Sequence, residues 1–158
     1  MASDDVVREQ LLALLRGGNA HMTLDEAVAG FPLEHINDYP PHVEYTPWHL
    51  LEHLRIAQWD ILEFVRNPAH ISPPWPEGHW PHPDARADAQ AWASTLAAFR
   101  ADLQALEQLV ADPAADLYAP LPHAPGYTIL REILLVADHN AYHIGEFGIL
   151  RQVMETWT

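Results

Sequence analysis

The sequence predicts an all-α protein built as a four-helix bundle. Three observations lead there. Apolar residues recur at helical spacing in four long stretches, each stretch is bounded by a capping or breaking signal, and nowhere do apolar and polar residues alternate as in a strand.

Ser3 is placed to cap a first helix running to about Leu15, with Val6, Leu11, Leu14 and Leu15 among its apolar positions; Gly17-Gly18-Asn19 ends it. Thr23-Leu24-Asp25-Glu26 reads as a capping box opening a short helix to about Ala29. Residues 31–45 carry three prolines and read as a loop with a helical turn. Thr46 then caps a second long helix with Pro47 at its first position, and Leu50, Leu54, Ala57, Ile61 and Phe64 form its apolar face. Asn67-Pro68 stops it, and residues 71–83, rich in Pro, Trp and His, cannot be regular. A third long helix starts at Asp84 or nearby and runs to about Ala111, carrying Trp92, Leu96, Phe99, Leu103, Leu106 and Val110. After a loop over residues 112–126, Thr128 caps the fourth, which runs to about Met154. No strand is expected. The loops differ in length, so at least one connection is free to cross the bundle. Residues 1–158 read as a single domain.

The chain carries a formal net charge of -14, with 22 Asp+Glu against 8 basic residues, all arginine. A field of that sign repels phosphate backbones and anionic lipid, so neither nucleic acid nor a membrane is expected as a partner. The longest apolar runs, such as residues 133–137, are far too short to span a bilayer. The acidic N-terminus lacks the basic start and apolar stretch of a signal peptide, and a cytoplasmic location is the expectation. Without cysteine, disulfides, a thiol nucleophile and a thiolate metal site are excluded.

Eleven histidines are the compositional oddity, and imidazole is the commonest side-chain metal ligand. His139 and His143, four apart on the fourth long helix, place two imidazoles on one face. Leu134, Leu135, Ile144 and Ile149 surround the pair, and the second long helix offers a third ligand in His53. Bundle cores build metal sites from side chains on facing helices, and three neutral imidazoles leave a position open for water or substrate. Glu146, three residues past His143, is the candidate catalytic residue: a general base, a partner for an imidazole N–H, or a fourth ligand, with a surface carboxylate as the plain alternative. Asp60 could orient a ligand in the same way, though a surface role is the simpler expectation. Asp138 points about 100° away from His139 and is not expected to bind metal. His49-Leu50-Leu51-Glu52-His53 matches the H-x-x-E-H pattern of inverted zinc peptidases, but the chain is short for one and Glu52 reads as an ordinary solvated residue. His70, His79, His82 and His123 share loops with Trp75, Trp80 and Tyr118, which are expected to pack those loops onto the bundle, with a pocket mouth as the alternative.

Two segments resemble the DinB-like superfamily of metal-dependent enzymes, also described by its damage-inducible and YfiT-type members. Residues 45–54, Tyr-Thr-Pro-Trp-His-Leu-Leu-Glu-His-Leu, are similar to the family's second-helix start ending in His-Leu. Residues 138–146, Asp-His-Asn-Ala-Tyr-His-Ile-Gly-Glu, are similar to its H-x-x-x-H-x-G-Q segment. The resemblance puts His53, His139 and His143 on the family's metal-binding triad. It implies an up-down-down-up four-helix bundle, often dimeric. Where the family commonly has Arg-Gly-Gln after the last His, this chain has Ile144-Gly145-Glu146. Some relatives are transferases or isomerases that use low-molecular-weight thiols such as mycothiol or bacillithiol. The expectation is therefore a homodimeric enzyme holding a divalent ion, zinc or nickel first. It would act on a small-molecule substrate, by transfer to a low-molecular-weight thiol or by hydrolysis. The alternative is a bundle that binds a metal or small ligand without chemistry.

Overall fold

The computed structural model describes residues 2–157, without the side chains of Ala2 and Ser3. Four main helices pack together: α1 (Ala2–Arg16), α3 (Pro47–Arg66), α4 (Ala89–Ala111) and α5 (Ile129–Val153), with a one-turn helix α2 (Leu24–Val28) between the first two. Their starts are written in local chemistry. The Thr23 hydroxyl accepts from Glu26 N–H while the Glu26 carboxylate accepts from Thr23 N–H, which closes the expected capping box. Thr46 caps α3 ahead of Pro47, and Thr128 caps α5 by accepting from Arg131 N–H. At the end of α1, Gly17 and Gly18 hold φ of 71° and 78°, a backbone that side-chain-bearing residues avoid.

Three expectations change. The first helix already includes Ala2, so Ser3 is not the residue before it, and the Ser3 side chain lies outside the described residues. The third long helix begins at Ala89 with Asp88 as cap, not near Asp84. Asn37 holds both backbone groups of Ala87, and His49 takes the Ala85 carbonyl, so the preceding turn is committed to partners outside the helix. The loop before α5 also contains a small hairpin, β1 (Pro120–Leu121) against β2 (Ala124–Thr128). Two residues that include a proline cannot display alternation, so this pairing left no sequence pattern.

Side-chain register gives the topology. Arg8 and Arg16 of α1 reach Asp112 and Glu107 respectively, an antiparallel relation to α4. Thr95 meets Glu52 and the Phe99 carbonyl meets Gln58, so α3 and α4 run parallel. His143 meets His53 and Asn140 meets Gln58, so α3 and α5 are antiparallel. The bundle is therefore up-down-down-up, and the 22 residues between α3 and α4 form the long crossover that parallel neighbours require.

The core has two apolar clusters, one around Leu50, Leu54, Phe99 and Phe147, the other around Leu62, Leu106, Val110 and Ile133. Between their contributions to α3 and α5 lies a buried amide relay, with Asn140 donating to Gln58 and Gln58 to the Phe99 carbonyl. Such a relay favours one register of three helices, because slipping any of them strands buried amides. Val6, Leu14, Leu134 and Ile149 lie on solvent faces rather than in the core. No helix among the described residues is long and apolar enough to cross a membrane.

Candidate metal centre

His53 projects from the middle of α3, and His139 and His143 from successive turns of α5. Antiparallel packing brings them together: His53 Nε2 lies 3.2 Å from His143 Nε2 and 3.1 Å from His139 Nε2. Each of the three residues offers a ligand atom within 4.8 Å of the others. Three nitrogens on a tetrahedral ion with bonds of 2.0–2.1 Å would stand roughly 3.3 Å apart.

The hydrogen bonds on the far side of the rings decide what these nitrogens can do. His53 Nδ1–H donates to the His79 carbonyl at 2.7 Å. His143 Nδ1–H donates to Glu146 Oε2 at 2.6 Å. Neither acceptor has a proton to give, so each ring in its neutral form carries its hydrogen on Nδ1 and a lone pair on Nε2. Those two lone pairs face one another across 3.2 Å, an arrangement that repels unless a cation sits between them. Protonation of His53 and of His139 is disfavoured. Burial draws His53 down to about 4, with the His79 carbonyl opposing and His143 adding to the depression. Burial, then the neighbouring His143 and His53, takes His139 to about 3. The cluster could thus hold a metal ion: three imidazoles converge, and the bonds behind His53 and His143 turn Nε2 of each toward the centre.

Glu146 is not a free surface carboxylate. Its second oxygen accepts from the Tyr45 hydroxyl, delivered by the residue before the Thr46 cap. Burial works against its charge, but the His143 N–H and the Tyr45 hydroxyl outweigh it and hold the carboxyl below its ordinary value. Burial, with the Glu146 carboxylate beside it, pushes the Tyr45 phenol up.

The crossover between α3 and α4 makes the wall. Trp80 stacks flat on His53, with ring centroids 3.9 Å apart and planes within 4°. Gly78 lets the chain fold tightly there, since a Cβ at that position would stand 2.6 Å from Pro73 Cβ and 2.9 Å from Pro74 Cδ. Trp75 lies across a cavity of about 250 Å³ that also reaches His139. Trp80 packs the loop onto the bundle, as expected, and in doing so also walls the site, whereas Trp75 lines the cavity from an exposed position. Tyr118 and His82 are exposed as well. His123 reaches across to the Phe64 carbonyl, away from the cluster.

Asp60 departs from the surface role expected of it. It is buried and accepts from His70 Nε2 at 2.6 Å and His79 Nε2 at 3.0 Å, so it anchors the loop whose His79 carbonyl orients His53. The H-x-x-E-H motif does not form a zinc site. His49 Nε2–H donates to the Ala85 carbonyl and its Nδ1 faces Thr46 N–H, which makes it part of the helix cap. Glu52 is no solvated residue either, since it accepts from Arg55 and Thr95. Asp138 is exposed, consistent with its expected direction. Of the surrounding leucines and isoleucines, Ile144 is buried, whereas Leu134 and Ile149 face solvent.

His79, Trp80 and Tyr45 were not assigned to the cluster from sequence. For Tyr45 a signal existed, because it immediately precedes the capped start of the helix bearing His53. His79 and Trp80 carry none, since an irregular loop has no period from which to read a side chain's direction.

A family model described as the DinB superfamily matches residues 18–147, a span that includes all three histidines and Glu146. No curated protein and no solved structure matches the chain.

Proposed function

The chain belongs to the DinB superfamily, and on that premise we propose that it is a metal-dependent enzyme of the thiol-transferase type, with His53, His139 and His143 as ligands of one divalent ion. The observation that carries this is the facing pair of Nε2 lone pairs on His53 and His143, each fixed by a donor bond on the opposite side of its ring. Zinc or nickel suits a set of neutral imidazoles. Such an ion supplies Lewis acidity, which lowers the pKa of a bound thiol or water.

The chain's own residues do the rest. Glu146 is a positioning residue: it accepts the His143 Nδ1–H and keeps that ring in the ligating tautomer, while Tyr45 steadies the carboxylate. A general-base role for Glu146 would require one of these partners to be released. Trp80 excludes water from one face of His53. The thiol comes from a small molecule, since the chain has none. Hydrolysis is the second reading, favoured by the same donor set, which leaves a coordination position for water.

A homodimer belongs to the same proposal. Leu134, Tyr142, Ile149 and Val153 are exposed along one side of α5, a stripe of the kind that subunit contacts cover.

The test is elemental analysis of untagged protein purified without chelator, beside the three His→Ala variants, followed by turnover of an electrophile with and without added thiol. Near-stoichiometric metal, lost in every variant, and thiol-dependent turnover support the proposal. Metal without turnover returns the protein to a binding role, and absence of metal affinity removes the enzyme reading.

A further inference from the structure

The cavity beside the imidazoles has walls of a definite kind. Ala57, Ile61 and Leu135 give aliphatic surface, Trp75 an indole face, and His139 brings one imidazole of the cluster to its edge. No arginine lines it and the chain has no lysine, so nothing there would offset a ligand's negative charge. The polar members are Asp60 and His79. Burial opposes the charge on Asp60, but the N–H groups of His70 and His79 and the Ser72 hydroxyl outweigh it and keep the carboxyl below its ordinary value. An ionised carboxylate only accepts, so His79 carries a hydrogen on Nε2, 3.0 Å from Asp60 Oδ2. Nδ1 is the ring's other polar atom, left free by that bond. His79 is 7% exposed, and this Nδ1 is buried with no hydrogen-bond partner in the protein. Native sites rarely leave such an atom unmet without a functional reason.

We propose that this cavity seats the substrate, and that His79 Nδ1 recognises it by accepting a hydrogen bond from an O–H or N–H group on a small, uncharged, ring-sized apolar molecule. Asp60 is the positioning residue that fixes the accepting tautomer. A charged thiol cosubstrate finds no counter-charge here, so the cavity suits the electrophile instead. The chemical role of the seat rests on the metal reading above, because His139 is at its edge, but binding itself needs no metal.

Phenol and toluene test this, being nearly the same shape with a donor on phenol alone. Each is titrated into the metal-free full chain while the His79 Nδ1 nitrogen resonance and the Trp75 indole are followed by NMR. Phenol is expected to shift both, and toluene only the indole. In His79→Phe the phenol-to-toluene affinity ratio should fall about tenfold, the worth of one hydrogen bond. An Nδ1 resonance that phenol leaves unmoved overturns the proposal, as does an unchanged ratio in a folded variant. The resonance of the unsubstituted protein decides even if the variant does not fold. A shifted resonance in a protein without metal affinity keeps the subsite and removes the metal chemistry. Stoichiometric metal with an unmoved resonance overturns the subsite and leaves the metal reading intact.

Discussion

Replacing Glu146 with alanine leaves all three imidazoles in place and removes the group that fixes one of them. The bond lost is the 2.6 Å contact from His143 Nδ1–H to a carboxylate, a charge-assisted hydrogen bond. Carboxylate partners of metal-bound histidines are typically worth 10- to 100-fold in metal affinity, which corresponds to about 1.4–2.7 kcal/mol. Glu146→Ala should lie toward the upper end, because it also strands the Tyr45 hydroxyl in a half-buried position. Glu146→Gln keeps an amide oxygen for His143, and a phenol can accept from the amide N–H, so a loss of only about tenfold is expected. The assay is competitive titration of zinc against a chromophoric chelator at pH 7, with helicity followed by circular dichroism. Parent-like affinity in Glu146→Ala would refute the positioning role. So would a glutamine variant weaker than the alanine variant.

The metal-free protein should lose stability as pH falls from about 6.5 toward 4, read as a falling urea midpoint across a pH series. His53 and His139 are depressed from 6.5 to about 4 and about 3, so in that window the unfolded chain binds protons that the folded chain refuses. Asp60 and Glu146, both lowered, add a further loss at still lower pH, and a midpoint unchanged between pH 7 and pH 5 would contradict the burial argument. Gly78→Ala should push the crossover loop off the Pro73 and Pro74 rings, costing roughly 1–3 kcal/mol by overpacking. It should also weaken metal binding through the His79 carbonyl and change Trp80 fluorescence, and parent-like affinity would show that the loop does not hold His53. His49→Ala should leave metal content unchanged while lowering stability by about 1 kcal/mol as the α3 cap loosens. Loss of metal in that variant would revive the H-x-x-E-H motif.

The helices were readable because their signals are local. Thr23, Thr46 and Thr128 each cap the helix they were expected to cap, since the capping acceptor and its N–H are three residues apart in the chain. The Asp84 start was misplaced because the competing partners of that segment, Asn37 and His49, lie about 50 and 36 residues away. The hairpin was missed because two-residue pairing has no period. At the site, His139 and His143 could be paired by helical spacing alone. Glu146 was found by the same rule, with the Tyr45 that completes it lying 101 residues away. Leu134 and Ile149 show the limit of that rule: α5 is apolar on more than one face, so hydrophobicity did not say which face was the core.

The sequence by itself determined four long helices, their caps and the i, i+4 histidine pair, because each is set by backbone hydrogen bonding and by 3.6-residue periodicity within one segment. Tertiary structure alone decided which tautomer His53 adopts, that Trp80 covers it, that Asp60 is a buried anchor, and that His79 carries an unmet nitrogen. Those outcomes depend on where an irregular 22-residue crossover lands on α3 and α5, and that is fixed by packing between segments distant in the chain.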